Sequence, residues 1–311
     1  MMGNILFIPS VPGSEWVTTV LPGRSPAELP VTGRRLIDYL LERMRRFGFS
    51  FVEVLDWCFT DRLAVDFEEN EQVGFRVYYH RGAGAVPRGL AALENPTFPL
   101  AGKVADGMTV VWGPCLTSGE PEEVRMEPLP PEECVETPMG VYRREGGRWV
   151  RFRPKGLSAK DVRSWRRINL AVLENPDAFT LPGYTAERDV HIGRNVVLER
   201  GTQVGHPVLL NDGVWCARNV RIGRDVIIGR GSFVGEGAHL LRTIVCDETY
   251  IGTGLELVDK IVAGSRIIDA ETGTWVDLDE KGVVHSISAR GTGWMRRIVN
   301  FLYGRSRGKR V

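Results

Sequence analysis

The sequence predicts a parallel α/β sheet domain followed by a parallel β-helix. Two observations carry this: an apolar residue recurs every six positions over residues 190–251, and residues 4–55 open as strand, helix, strand. Length agrees, because 311 residues suit two domains better than one.

Residues 4–8 form a short apolar run that stops at Pro9, as a buried first strand would. A loop rich in Pro and Gly fills residues 10–24. Over residues 34–47, Leu36, Ile37, Leu40, Leu41 and Met44 fall at helical spacing. Arg34, Arg35, Glu42, Arg43, Arg45 and Arg46 take the opposite face, and Gly48 stands where a C-terminal cap belongs. Residues 49–55 read as the second strand, which makes this the opening of a parallel sheet. Further strands are expected at 75–80 and 108–112. The stretch 118–138 is dense in Glu and Pro without a period and reads as a loop. Residues 139–142 and 149–152 flank Gly146-Gly147 as a hairpin, and 158–187 connect onward.

In the repeat, one apolar column reads Ile192, Leu198, Val204, Leu210, Cys216, Ile222, Ile228, Val234, Leu240, Cys246. A second reads Val190, Val196, Thr202, Val208, Val214, Val220, Val226, Ser232, Ala238, Ile244. Six residues fit a short strand plus a turn, three to a coil, with each coil covering the next. The rhythm skips after Cys246 and resumes through Leu257 and Ala263-Gly264. Residues 275–278 with 283–287 then read as a hairpin that caps the open end. The expected boundaries are 1–185 for the α/β domain, 186–268 for the β-helix, 269–289 for the cap and 290–311 for a tail.

The formal net charge of +1 argues against a nucleic-acid partner. Five cysteines without a C-x-x-C pair read as reduced thiols, and no metal-ligand spacing is present. No signal peptide or membrane-spanning run is recognisable, so a cytoplasmic protein is expected. The tail collects seven Lys/Arg and no acid over residues 290–311. Within it Trp294, Met295, Ile298, Val299, Phe301 and Leu302 share one helical face, opposite Arg296, Arg297 and Asn300. Such a helix suits the inner membrane face, a partner protein, or the protein's own body.

Leu29-Pro30-Val31-Thr32-Gly33-Arg34-Arg35-Leu36 and the helix after it resemble the L-P-V-x-G-K-P-L segment of the sugar-1-phosphate nucleotidyltransferases, the nucleotide-sugar pyrophosphorylases. Val150-Arg151-Phe152-Arg153-Pro154-Lys155-Gly156 is similar to that family's V-x-F-x-E-K-P strand near the sugar. Asn169-Leu170-Ala171-Val172-Leu173 with Asn175-Pro176 resembles a further strand and loop. The resemblance implies a Rossmann-like domain and a left-handed hand for the hexapeptide β-helix. It also implies Mg²⁺-dependent transfer of a nucleotidyl group to a sugar phosphate, if that activity is retained.

Three positions depart from the family. The glycine-rich phosphate loop is replaced by Ser10-Val11-Pro12-Gly13-Ser14-Glu15-Trp16, Pro26 stands at the lysine, and Pro114 at the metal-binding aspartate. These replacements remove the positive charge on which such transfer depends. The chain therefore reads as a nucleotidyltransferase-like protein of nucleotide-sugar or surface-polysaccharide metabolism with weak or no pyrophosphorylase activity, a pseudoenzyme. Lys155, Arg24 and Arg34 are the candidates for contacting a sugar phosphate or sugar nucleotide. One alternative is a non-catalytic scaffold or regulator. Another is a β-helix acyltransferase using His206 or His239 as general base. His191 and His239 are expected to point outward from the coil. A homo-oligomer is compatible with every reading.

Overall fold

The computed structural model describes residues 5–69, 75–117, 125–153, 156–187, 189–278 and 282–287. The chain is mixed α/β, with a partly parallel sheet in the N-terminal half and three parallel sheets in the C-terminal half.

The first sheet has seven strands. In chain order these are β1 (Ile5–Ile8), β2 (Phe51–Asp56), β3 (Arg76–Arg81), β4 (Thr109–Trp112), β5 (Arg125–Pro128), β6 (Gly140–Glu145) and β7 (Arg148–Arg153). They lie in the order β3-β2-β1-β4-β6-β7-β5. β1 runs parallel to both β2 and β4, and β2 to β3, whereas the strands beyond β4 are antiparallel. β1 is apolar throughout because both its faces are covered. Ile5 and Phe7 pack with Leu36, Ile37 and Leu40 on one side, and Leu6 and Ile8 with Leu90, Leu93 and Trp112 on the other. The expected helix is α1 (Leu36–Arg46), and a second, α2 (Asp61–Glu69), precedes β3. The hairpin around Gly146-Gly147 forms as expected.

Two expectations in this half fail. The segment 118–138 contains the edge strand β5 and a short helix, Pro131–Val135. Residues 169–173, expected as a strand, lie in α3 (Val162–Leu173). There Trp165, Ile168, Asn169, Val172 and Leu173 are buried at helical spacing, and Asp161 accepts from the Ser164 amide at 2.7 Å. The capped helical period outweighs the local apolar run.

In the repeat, successive strands visit three sheets in rotation. Val190–Ile192, Val208–Leu210, Val226–Ile228, Ile244–Val245 and Lys260–Ala263 pair in parallel in the first. Val197–Leu198, Trp215–Cys216, Phe233–Val234 and Thr249–Ile251 form the second. Gln203–Val204, Arg221–Ile222, His239–Leu241 and Glu256–Val258 form the third. Val208, Leu210, Cys216, Ile222, Ile228, Val234 and Leu240 build one apolar cluster between the sheets.

The register corrects the sequence reading at one point. Val208 pairs with Val226, but Ile228 pairs with Val245 and Phe233 with Tyr250, so one residue is lost between Leu240 and Val245. The slip precedes Cys246 instead of following it. Val245 and Val262 consequently join the inner cluster, while Ile244 and Cys246 pack against the N-terminal half.

The two halves share a core. Leu209, Ile227, Ile244 and Ile261, on the outer face of the first repeat sheet, cluster with Trp165 and Ile168 of α3. Arg166 adds ion pairs to Asp259 at 2.9 Å and Glu271 at 2.7 Å across the same junction. His191 points outward as expected, in register with Leu209, but is buried there beside the added strand Tyr184–Glu187. The expected closing hairpin is also corrected. Trp275–Asp277 pairs with Arg266–Asp269, and Val284–Ser286 adds antiparallel to Thr249–Ile251, so each segment covers a different open edge.

Candidate functional site

In open α/β sheets ligands bind at the carboxyl ends of the strands, where the strand order reverses. Here that point lies between β1 and β4, and the loop after β1 occupies it. Three of the loop's amides are bonded within it. The Val11 amide donates to Ser14 Oγ at 3.0 Å, the Gly13 amide to Glu15 Oε2 at 2.7 Å, and the Ser14 amide to Val11 O at 2.9 Å. A phosphate-cradling loop needs such amides free and directed outward. Trp16 turns in, donating from Nε1 to Ala159 O at 3.1 Å, with its ring 5.9 Å from that of Trp165. Val11 and Met139 press on Gly113 so closely that a Cβ there would sit 2.9 and 2.7 Å from their side chains.

Beneath the loop lies Asp56, fully buried at the end of β2. Its Oδ1 accepts from the Ser10 hydroxyl and from the Cys58 amide at 2.9 Å. Its Oδ2 accepts from the Ser25 hydroxyl and from Tyr79 Oη at 3.0 Å. Burial, and then the Asp56 charge, hold the Tyr79 phenol far above its ordinary value. Pro26 is buried in a 3-10 turn capped by Ser25 and Glu28. Pro114 offers only a carbonyl, which accepts from the Ala159 amide. With two donors on each Asp56 oxygen, and no cluster of three or more His, Cys, Asp or Glu among the described residues, this site does not fit Mg²⁺.

A cleft of about 830 Å³ opens elsewhere, between α1, α2, β3 and the repeat. Both Arg24 and Arg34 line it, but they differ in freedom. Arg34 bonds Glu42 at 2.9 Å and Thr180 O at 3.0 Å and lies 4.4 Å over the Tyr39 ring. Arg35 is fixed by Asp38 at 2.8 Å and Asp66 at 2.6 Å. Burial opposes its charge, and those two carboxylates outweigh it and raise its pKa. Arg24 joins Arg62 of α2 and Arg230 of the repeat, and among the described residues none of these three guanidinium groups is held by a hydrogen bond or close ion pair. Arg24 and Arg230 face Asp247, whose carboxyl burial raises above its ordinary value against the pull of both charges. Glu248 completes that wall. Arg24 also lines a neighbouring cavity of about 310 Å³ beside Arg266 and Cys246.

Lys155 lies outside the described residues. His206 is exposed in a turn, and His239 on the third sheet stands 3.5 Å from Glu256. Asp56, Arg62 and Arg230 escaped the sequence reading. A second carboxylate, at the end of the segment Val52-Glu53-Val54-Leu55, was the available signal for Asp56. Arg62 and Arg230 have no local signal, because the fold brings them together from distant segments.

No protein-family model matches the chain, and no curated protein matches it. Among solved structures, a UDP-glucose pyrophosphorylase complexed with UDP-glucose is similar to it at 13% identity and a TM-score of 0.36. That similarity covers 56% of this chain and 100% of the other.

Proposed function

We propose that the chain is a nucleotidyltransferase-like protein of sugar-nucleotide metabolism that no longer transfers nucleotidyl groups and instead binds a phosphorylated sugar. In this reading residues 1–185 are the degenerate nucleotidyltransferase domain, and the three repeat sheets are the faces of a left-handed β-helix. The eighteen-residue register of the early coils, three hexads per turn, supports the β-helix.

One observation carries the functional reading. The loop at the switch point bonds amides within itself and surmounts a saturated Asp56, while Arg24, Arg62 and Arg230, whose guanidinium groups are held by no hydrogen bond or close ion pair among the described residues, gather in the cleft beside the repeat. Nucleotidyl transfer requires positioned cations around the phosphates, and the loop supplies none. The cleft offers guanidinium groups for a phosphate and the carboxylates of Asp247 and Glu248 for sugar hydroxyls. Its volume matches that of small-molecule sites.

Titration calorimetry with a panel of sugar 1-phosphates and nucleoside diphosphate sugars tests this. Binding is expected for at least one, weakened about tenfold or more by Arg24→Ala or Arg230→Ala, each removing a charge-assisted contact. Binding of none, or binding indifferent to both substitutions, overturns it. The acyltransferase reading instead requires acetyl-CoA turnover that His239→Ala or His206→Ala abolishes.

A further inference from the structure

Most outward positions of the third repeat sheet are polar, including Gln203, Arg221, His239 and Glu256. The second sheet differs. Its outward column reads Val197, Trp215, Phe233, Tyr250 and, from the added strand, His285, each paired with the next through the sheet. The rings form a continuous ladder. Trp215 and Phe233 lie 6.5 Å apart, Phe233 and Tyr250 stack at 5.4 Å with planes 5° apart, and Tyr250 and His285 lie at 4.6 Å. Val197 extends the stripe and is 39% exposed.

An aromatic stripe on a sheet invites comparison with a glycan platform, but the ring geometry opposes it. Sugars stack on ring faces, and here the faces of Phe233 and Tyr250 are turned to each other. What the ladder offers outward is ring edges, half-buried at Trp215 and Tyr250 and 7% exposed at Phe233 between them, which suits another packed side-chain surface.

The chain itself supplies one next to this ridge. Ile287, the last described residue, is buried in the cluster of Phe233 and Ala217 that Trp215 and Tyr250 also join. The amphipathic segment 294–302 begins seven residues further on. We infer that this segment packs as a helix along the ladder of its own chain, with Trp294, Ile298, Phe301 and Leu302 against Trp215, Phe233 and Tyr250. The dimensions agree. Nine helical residues span about 14 Å, and the three strand spacings from Trp215 to His285 span roughly 14 Å. The linker 288–293 reaches up to roughly 20 Å, enough to place either end of the helix. Tethering raises the segment's local concentration to about the millimolar range, which favours it over a second copy at ordinary protein concentration. The basic face of Arg296 and Arg297 then points to solvent.

Photo-cross-linking of the full chain tests this, with benzoylphenylalanine in place of Val197 and, separately, of Tyr250. Both positions are expected to cross-link to residues 294–302 within one chain, at monomer mass. In the full-length I298E/L302E variant the yield falls by about tenfold or more, because two carboxylates would enter an apolar contact. The R296E/R297E variant, altered on the other face, keeps it. Cross-links at dimer mass would assign the ladder to a second copy. Absence of any cross-link, with the chain pelleting on vesicles of phosphatidylcholine and phosphatidylserine, would assign the segment to a membrane. Either result, or a yield unchanged by I298E/L302E, overturns the inference.

Discussion

Asp56→Ala should be among the most damaging substitutions outside the apolar cores. The carboxylate is fully buried and accepts from four donors: the Ser10, Ser25 and Tyr79 hydroxyls and the Cys58 amide. Each donor left without an acceptor in a buried site costs about 1–3 kcal/mol. The three hydroxyls can turn partly toward one another, so the four losses do not add in full. Four such donors, with losses that add only in part, make about 3–5 kcal/mol the expected loss. Urea unfolding followed by circular dichroism measures it, with the midpoint lowered and the slope unchanged. Ser10→Ala, which removes one donor, should cost about 1 kcal/mol. A loss below about 1 kcal/mol for Asp56→Ala would show that the carboxylate does not hold the loop closed.

Gly33→Ala should destabilise by about 1–3 kcal/mol and loosen the junction between the halves. Gly33 has φ +79°, and a Cβ there would lie 2.4 Å from Asn211 Oδ1 in the repeat. A thermal scan of Gly33→Ala beside Gly33→Ala/Asn211→Gly checks this, since the second change should recover part of the loss. Stability should also fall at alkaline pH. Burial pushes the Cys115, Cys216 and Cys246 thiols up to about 12 from an ordinary 9.0. A raised folded pKa means the contribution is complete below pH 9 and is lost as pH climbs toward 12. Each thiol contributes up to roughly 1.4 kcal/mol per pH unit within that window. A urea midpoint unchanged between pH 8 and pH 10.5 would contradict it.

Long periodic signals were readable from sequence, and features set by partners were not. The six-residue rhythm located most repeat strands because burial between the sheets repeats with the chain. α1 was equally visible, since Leu36, Ile37, Leu40 and Met44 form a stripe ended by Gly48. The one-residue slip was misplaced because Ile244, Val245 and Cys246 are all apolar. Only the register shows that Val245 faces inward while its neighbours meet the N-terminal half. Residues 275–278 and 283–287 look like partners in sequence, yet each lies nearer a different unpaired edge. Both Arg24 and Arg34 line the cleft, but Arg34 is committed to Glu42, Thr180 and Tyr39. Arg62 and Arg230 are 168 positions apart in the chain and meet only in three dimensions.

Pyrophosphate release from nucleoside triphosphates with sugar 1-phosphates and Mg²⁺ tests the central claim most directly. With amides of the loop bonded within it and no Lys or Arg among residues 10–16, release should match a protein-free blank for every pair tried. Turnover of roughly 1 per second or faster by purified protein, lost when the loop at residues 10–16 is altered, would contradict the account.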